Sequence, residues 1–316
     1  MQTIYLQEPY NKKQIPNEAI VLAMGFFDGV HCGHRKVIEI AKKEAQKLGV
    51  KLAVLTFDRY PGLVYRKTSP DFKYLTTLKT KLRYFADLGV DITYVVAFNE
   101  QLVPMDPQTF IDKYVVDLHA KCLVAGSDFT YGKREIANMQ TLPQYAKERF
   151  TIIEVPHLED QVGKISSTRI RNLLAKGQVA AANELLGADY SNTGLVIHGQ
   201  KMGRKLGYPT INVDVDAAER IPGEGVYAVR VRFVGETKEY YGMASIGKNE
   251  TVGDNLPVTV EVHLLNFQAD VYGREVVILW DEYLRSMEKF SSLEQLMQQL
   301  AADQLATEKY YHINNN

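Results

Sequence analysis

The sequence predicts two domains of different class: an α/β domain with a parallel sheet, then an antiparallel barrel or sandwich. Three observations lead to this prediction. The chain has 316 residues, about twice the usual length of a domain. Its first half alternates short apolar runs with helical patterns, which is typical of a parallel sheet covered by helices on both faces. After about residue 187, strand-like runs follow one another without helices between them.

The first half gives its elements in a regular order. Helical patterns follow His34 and later include TLKTKLRYFADLG and PQTFIDKYVVDLH. Gly49 and Gly89 come just after two of these patterns, where glycine takes a positive φ at the least cost. The strand-like runs between the helices are AIVLAMGFF, KLAVLTFD, DITYVVAF, AKCLVAGSDF and FTIIEVP.

The second half is strand-rich and ends in a helix. Its strand-like runs are GVYAVRVRFVG, EYYGMASIG, PVTVEVHLLNF and EVVILWDEY. Ser291 and Glu294 form a capping box ahead of LEQLMQQLAADQLA. We expect this helix to pack on the strands through one apolar face. That face consists of Leu293, Leu296, Met297 and Leu300.

Composition limits the classes of partner. Lys plus Arg number 37 and Asp plus Glu 38, so no overall field attracts nucleic acid or an anionic membrane. The two cysteines, Cys32 and Cys122, form no CxxC motif, which argues against a disulfide framework. With no leader-like start and no apolar stretch of about 18 residues, the sequence predicts a cytoplasmic protein. Nothing in it excludes a weak homo-oligomer.

The stretch GFFDGVHCGH, residues 25–34, concentrates unusual residues between a predicted strand and a predicted helix. Glycines allow a sharp turn and close approach of a ligand, and a helix start offers free N–H groups. His31 and His34, three apart, would share one helix face and donate to one phosphate group. Two alternatives are a simple connecting turn and a zinc pair. The zinc pair would lack a nearby third ligand.

A second cluster, KISSTRIRNLLAKG, strengthens the phosphate interpretation. Ser166, Ser167 and Thr168 precede a short helix whose first turns carry Arg169 and Arg171. Hydroxyl residues alone would be helix caps. Arginines at a helix start oppose the helix dipole and therefore favour a local anion. A nucleotide triphosphate would satisfy both.

A third stretch, GLVIHGQKMGRKLGYPTINV, lies at the start of the second half. Taken alone, it could be a hairpin with a solvated basic tip. The functional alternative is a nucleotide loop. Gly203 and Gly207 would bring backbone N–H groups to phosphates, and Thr210 and Asn212 would offer oxygens to Mg²⁺.

Together, GFFDGVHCGH and ISSTRIR resemble the nucleotidylyltransferase half of the bacterial bifunctional riboflavin kinase/FMN adenylyltransferase (FAD synthetase) family. LAVLTFD, AGSDFTYG and AANELLG agree with it. The resemblance implies a Rossmann-like adenylyltransferase domain over 1–187, with His31 and His34 as catalytic residues. The nucleotide-binding residues it implies in this domain are Gly25, Phe26, Asp28, Gly29, Gly33, Asp128, Ser166, Ser167, Thr168 and Arg171.

In the second half, GRKLGYPTIN, VEVHLLNF, DVYGREV and YLR resemble the riboflavin kinase fold. This implies a kinase barrel with a C-terminal helix over 188–316. By the resemblance, Thr210 and Asn212 hold the Mg²⁺-nucleotide and Glu261 is the base. The resemblance also adds Gly203, Lys205, Gly207 and Arg285 to the binding residues. A carboxylate suits this role because it can accept the proton of an attacking alcohol.

The family resemblance implies two reactions, riboflavin to FMN and FMN to FAD, both using ATP and Mg²⁺. Two alternatives remain: a nucleotidyltransferase of another substrate with an accessory barrel, and a binding regulator without turnover. The sequence departs from the family pattern at Asn249 and Glu250, at Ala137 and at Tyr60. None of these positions is a predicted catalytic group.

Overall fold

The computed structural model describes residues 1–64, 72–199, 203, 206–248 and 258–313. By its contacts the chain divides into two compact units, Met1–Ser167 and Thr168–Asn316. Residues 168–187, which belong to the first predicted domain, therefore group with the second unit. Because a division by contacts need not coincide with a division by function, the boundary between 1–187 and 188–316 stays a prediction.

The first unit is built on a six-stranded parallel sheet, as the alternating pattern predicts. Its strand order is β1-β4-β3-β2-β5-β6. The strands are β1 (Gln2–Leu6), β2 (Ile20–Met24), β3 (Lys51–Phe57), β4 (Ile92–Val96), β5 (Ala120–Gly126) and β6 (Thr151–Val155). All five residues of β2 are buried, which is typical of a strand covered on both faces. The order reverses at β2, since the chain adds β3 on one side and β5 on the other.

Helices and apolar clusters cover both faces of this sheet. Gly49 and Gly89 take φ values of 66° and 81°, which confirms both predicted helix ends. A short hairpin, β7 (Glu159–Asp160) and β8 (Gly163–Lys164), follows β6. The helices are α1 (Cys32–Leu48), α2 (Pro61–Val64), α3 (Leu78–Asp87), α4 (Pro107–Ile111), which continues into a π-helical turn (Asp112–Val116), and α5 (Leu142–Ala146).

The second unit contains a closed antiparallel barrel, which decides between the predicted barrel and sandwich. Two helices precede it, α6 (Ser167–Ala175) and α7 (Val179–Leu186). Pairing of β10 with β9 closes the order β10-β13-β12-β11-β14-β9. Closure leaves no barrel strand with an open edge. The strands are β9 (Ser191–Ile197), β10 (Thr210–Val215), β11 (Gly225–Phe233), β12 (Glu239–Lys248), β13 (Val258–Leu264) and β14 (Glu275–Arg285).

The C-terminal helix α8 (Leu293–Tyr310) packs on β11, β12 and β14, as expected, but its cap differs from the prediction. Ser292 is the N-cap, and its hydroxyl accepts from the N–H of Gln295. The Gln295 side chain reaches back to the N–H of Ser291. The capping pair therefore lies one residue later than the predicted Ser291 and Glu294.

The packed face of α8 is the predicted one, but its burial falls at a different part of the helix. Leu293 and Met297 are 58% and 44% exposed, and Leu296 and Leu300 are only half-buried. The buried residues of the helix are Asp303, Thr307 and Glu308. Asp303 and Thr307 follow Leu300 by three and seven positions and therefore continue the same face. This face packs through polar side chains in the second half of the helix, whereas its first turn is exposed.

Two family departures lie in the described residues. Ala137 is fully buried, and the ring of Tyr60 stacks on Phe72. Asn249 and Glu250 lie outside the described residues. Among the described residues, no helix has the combined length and apolar character that crossing a membrane requires.

Candidate active sites

The GFFDGVHCGH turn joins the end of β2 to the start of α1. It therefore leaves the sheet at the strand where the strand order reverses. In open α/β sheets this crevice, outside the carboxyl ends of the strands, is where ligands bind. The turn thus occupies the expected place for a site, and β5, which leads to Asp128, is the neighbour of β2.

The backbone of the turn adopts an unusual path. Phe27 and Val30 have φ values of 56° and 42° although neither is glycine, and Gly29 has 82°. Left-handed conformations at such residues cost about 1–3 kcal/mol each and persist only where surrounding contacts fix them. Strain of this kind concentrates at functional sites.

Asp28 helps to hold the turn in this conformation. Its carboxylate accepts hydrogen bonds from the N–H groups of Leu75 and Thr76, at 3.0 and 3.2 Å. The N–H of Gly29 donates to the Thr76 hydroxyl at 3.1 Å. Asp28 is predicted as a nucleotide contact, and the structure gives its buried carboxylate a role in holding the turn. Contact with a nucleotide stays a prediction.

The two histidines come together as predicted. His31 is the N-cap of α1, and its Nδ1 accepts from the N–H of His34 at 3.4 Å. The rings stack with centroids 3.6 Å apart and planes 18° apart. Because Nδ1 of His31 is the acceptor, the proton of its neutral ring is on Nε2.

His34 is held in its neutral form. Burial lowers its pKa well below 6.5, and the charges of His31, Lys81 and Lys164 act in the same direction. Its Nδ1 is buried and has no hydrogen-bond partner among the described residues. Buried polar atoms in proteins are nearly always paired. An anionic ligand near the ring would offset the positive charges around it.

Asp128 follows β5 and forms an ion pair that sequence reasoning missed. Nζ of Lys164 lies 2.7 Å from Oδ2 of Asp128 and 3.4 Å from Nε2 of His157. Partial burial opposes ionisation, but the hydrogen bond and charge of Lys164 outweigh it and hold the pKa of Asp128 below its usual value. Lys164 stands directly before ISSTRIR in the sequence, and this position was the signal that could have identified it as a site residue.

A hydrogen bond connects Ser167 of the second cluster to the turn. Oγ of Ser167, the first residue of α6, donates to the carbonyl oxygen of Asp28 at 2.9 Å. Ser166 is half-buried beside it in sequence. Arg171 lies in the first turns of α6, as predicted, but the helix begins at Ser167, so Ser167 and Thr168 belong to it and do not precede it. Their contact with a triphosphate stays a prediction.

Aromatic side chains flank the turn, and their spacing in the sequence does not predict that they meet. The Phe26 and Tyr60 rings are 5.3 Å apart. Tyr60 stacks on Phe72 at 4.7 Å, and Phe72 contacts Tyr74 edge-on at 5.2 Å. All four are half-buried and offer a surface on which a planar ring can stack.

The predicted kinase groups meet on neighbouring barrel strands. Asn212 of β10 is the register partner of Glu261 of β13. The Thr210 hydroxyl donates to Oε2 of Glu261 at 3.3 Å. All three side chains are partly exposed. The arrangement brings two neutral oxygens and one carboxylate to one face of the barrel.

Glycines let the backbone approach its neighbours closely around these groups. A Cβ at Gly199 would lie 2.1 Å from Nδ2 of Asn212, and one at Gly203 would lie 2.3 Å from the Tyr208 carbonyl. Gly207 has a φ of 82°. Gly199 was missed in the sequence, where it ends the run GLVIHG. The predicted Lys205 lies outside the described residues.

The donor set fits Mg²⁺ carried by a nucleotide. Mg²⁺ prefers oxygen ligands and is usually bound by one or two protein groups with waters and substrate phosphates. The described residues contain no group of three or more His, Cys, Asp or Glu side chains able to hold a metal. Thr210 and Asn212, with Glu261 beside them, form such a small set of protein groups, which waters and nucleotide phosphates would complete around Mg²⁺.

Arg285, predicted to bind nucleotide, ends β14 and has strong protein partners. Its Nε and Nη2 donate to the two carboxylate oxygens of Asp303 at 2.8 and 2.7 Å. Its Nη1 donates to the Ser286 carbonyl at 2.8 Å. These bonds fasten α8 to the barrel, and a role toward the nucleotide stays a prediction.

Two family models match the chain. Residues 13–169 match FAD synthetase and residues 186–311 match riboflavin kinase. Three similar proteins, each described as a bifunctional riboflavin kinase/FMN adenylyltransferase, come from Listeria monocytogenes, Bacillus subtilis and Escherichia coli. Their identities are 43%, 38% and 35%, over 98%, 98% and 96% of both this chain and the relative.

One solved structure is similar over nearly the whole chain. It is described as a macrolide-efflux protein from Streptococcus pneumoniae, and it is 35% identical with a TM-score of 0.88. The match covers 98% of this chain and 99% of that one. The fold of both units is therefore shared with an experimentally solved protein.

Proposed function

The chain belongs to the bifunctional riboflavin kinase/FMN adenylyltransferase family, and we propose that each of its two described sites carries out one of the two reactions. The protein phosphorylates riboflavin with ATP to give FMN, then adenylylates FMN to FAD with release of pyrophosphate. We assign adenylyl transfer to 1–187 and the kinase to 188–316. The matched ranges 13–169 and 186–311 support this division.

In the kinase reaction, the primary hydroxyl of riboflavin attacks the γ-phosphorus of ATP, and Glu261 accepts its proton. Thr210 and Asn212 would hold Mg²⁺, which neutralises phosphate charge when bound. The hydrogen bond from Thr210 to Glu261 orients the carboxylate toward that face.

In the adenylyl transfer, a phosphate oxygen of FMN attacks the α-phosphorus of a second ATP, and pyrophosphate leaves. The stacked His31 and His34 donate hydrogen bonds to the triphosphate as charge develops on it. The start of α1, with Gly25, Gly29 and Gly33, lets backbone and phosphate approach closely. Ser166, Ser167, Thr168 and Arg171 bind the outer phosphates. No covalent intermediate is needed, because positioning and charge stabilisation dominate phosphoryl transfer.

The observation that carries this proposal is the stacked histidine pair, with His34 neutral, at the helix start that follows the strand where the sheet order reverses. A neutral His34 can donate to phosphate without the desolvation cost of a buried charge. The aromatic side chains Phe26, Tyr60, Phe72 and Tyr74 would stack on the flavin.

We also propose a cytoplasmic location, without nucleic acid or membrane partners. The near balance of 37 basic and 38 acidic residues supports this, and Cys32 and Cys122 form no disulfide. A weak homo-oligomer stays a prediction.

Chromatography of riboflavin incubated with Mg-ATP tests the assignment, with FMN and FAD measured separately. The double variant His31→Ala, His34→Ala should accumulate FMN and lose FAD formation by at least about 100-fold, the usual effect of removing donors to developing charge. Glu261→Gln should lower FMN formation by about 100-fold or more while converting added FMN to FAD at the normal rate.

Two exposed residues provide matched controls. His119→Asn replaces an exposed histidine whose φ of 61° asparagine tolerates, and Glu224→Gln replaces an exposed glutamate. Both should leave the two rates unchanged. Loss of both reactions in either site variant, with the fold intact by circular dichroism, would contradict the separation of the two sites.

A further inference from the structure

Lys81 of α3 is a buried lysine directly beneath the β2–α1 turn, and no step above uses it. It is 3% exposed. Its Nζ donates to the Phe26 carbonyl at 2.8 Å and to the Thr56 hydroxyl at 3.0 Å. The same atom lies 4.1 Å from the centre of the Phe26 ring. The ammonium therefore contacts the second residue of the GFFDGVHCGH turn from two directions.

The direct partners of this ammonium are neutral. Among the described residues its hydrogen bonds go to carbonyl and hydroxyl oxygens, including a longer one of 3.5 Å to the Phe57 carbonyl. The nearest carboxylates are already engaged: Asp28 by Leu75 and Thr76, and Asp58 by the N–H of Phe98 at 2.8 Å. Burying a charge without an ion-pair partner is costly, and an apolar side chain would pack at lower cost.

The position of the Phe26 carbonyl indicates what the buried ammonium of Lys81 contributes to the structure. The N–H of Gly25 continues the backbone pairing with β3, donating to the Leu55 carbonyl at 3.2 Å. The next peptide leads to Phe27, the first residue with a positive φ. The Thr56 hydroxyl also donates to the Phe26 carbonyl, at 2.9 Å. Lys81 and Thr56 thus fix the peptide at which the chain leaves the sheet.

We propose that Lys81 is a positioning residue of the adenylyl-transfer site. Its ammonium holds the Phe26 carbonyl so that the turn presents His31 and His34, and it adds positive charge beneath the triphosphate. This inference rests on the assignment of the histidine pair to adenylyl transfer.

The charge of Lys81 also reaches the histidines. It is one of the causes that keep the pKa of His34 low, after burial and the charge of His31. Burial lowers the pKa of Lys81 itself to about 8, against the opposing charges of Asp28 and Asp58. The charged groups that face Lys81 are therefore Asp28 in the turn, Asp58 after β3 and the titratable His34 on α1.

The test compares Lys81→Met with Lys42→Met. Lys42 is a matched control, because its Nζ also donates to a backbone carbonyl, that of Leu88 at 2.9 Å, at the far end of α3. Conversion of added FMN to FAD should fall at least tenfold in Lys81→Met and remain normal in Lys42→Met. Riboflavin phosphorylation in the same protein should be unchanged in both.

Two further measurements separate positioning from simple packing. The FAD-forming rate of the unsubstituted protein should fall as pH rises through about 8, because deprotonation removes the ammonium, and Lys81→Met should lack this decrease. In NMR titration the pKa of His34 should be higher in Lys81→Met. If Lys81→Met does not fold, Lys81→Gln keeps a donor without the charge and should lose FAD formation at least threefold.

An FAD-forming rate within twofold of normal in folded Lys81→Met, or an unchanged His34 titration, would overturn the proposal. Failure of the underlying assignment would look different. In that case the double variant of His31 and His34 would still form FAD, whatever the result at Lys81.

Discussion

Individual residues in the first unit gain their function from neighbours that are distant in sequence. His31 and His34 could be predicted because their spacing alone puts them on one helix face. The structural role of Asp28 could not be predicted, because its partners lie 47 and 48 positions away. Lys81 was missed for the same reason: in KTKLRYF it resembles any solvated helix lysine. Local spacing predicts a pair, but burial is decided by tertiary packing.

The low pKa of His34 makes the first unit sensitive to acid. The unfolded chain takes up a proton near pH 6.5, whereas the folded ring resists it. Below that pH the unfolded state therefore binds more protons, and the free energy of unfolding falls by up to about 1.4 kcal/mol per pH unit. Hydrogen exchange of β2 amides at pH 7.5 and 5.5 measures this change. In His34→Gln the decrease should be smaller by that amount.

His119→Asn provides the comparison, since it removes an exposed histidine from the same unit. Its exchange rates should keep the full decrease on acidification. An equal pH dependence in the His34→Gln and unsubstituted proteins would show that another group is responsible.

Among the elements, α8 shows most directly what sequence periodicity leaves open. Its packed face continues the predicted one through Asp303 and Thr307, yet these residues are polar, and Asp303 is only 4% exposed. The cause is the two-point bond between Asp303 and Arg285 of β14. An aspartate in a helix usually indicates solvent, and only the barrel surface reveals its partner. The existence and the packed face of α8 could be predicted from the sequence, but the burial of its polar residues could not.

Two substitutions in α8 test this orientation. Asp303→Ala leaves Arg285 without its partner in a largely buried site and should lower the free energy of unfolding by about 3 kcal/mol. Leu305→Gln, two residues away, should change it by less than about 0.5 kcal/mol because the leucine is exposed. Denaturant titration followed by the fluorescence of Trp280 measures both. The reverse order of effects would mean that Leu305, and not Asp303, packs on the barrel.

For the whole molecule, alternation of patterns predicted the class of each half but not the order of its strands. Short apolar runs with intervening helices indicate a parallel sheet, whereas the reversal at β2 depends on which side each crossover takes. Closure of the barrel was likewise open, because it requires β9 and β10 to pair. The resulting units, Met1–Ser167 and Thr168–Asn316, each have their own sheet.

Separate sheets and cores imply that the activities can be lost separately. Phe233 is buried in the barrel at 1% exposure, and Phe233→Ala should destabilise the barrel by about 3–5 kcal/mol. On warming, FMN formation should fail first while added FMN still gives FAD. Trp280, the single tryptophan of the chain, reports barrel unfolding. Val234, the exposed residue that follows Phe233, provides the control. Val234→Ala should match the unsubstituted protein. Simultaneous loss of both activities would contradict independent cores.

The hydrogen bond from Ser167 to the Asp28 carbonyl spans 139 positions and has a consequence for biosynthesis. A nascent chain that has already exposed His31 and His34 cannot complete this contact until Ser167 has been translated. At about 5–20 residues per second, the interval is on the order of ten seconds. During that time the histidine turn lacks one of its fixed contacts, so a newly made chain acquires the complete adenylyl-transfer site only when about half of it has been translated.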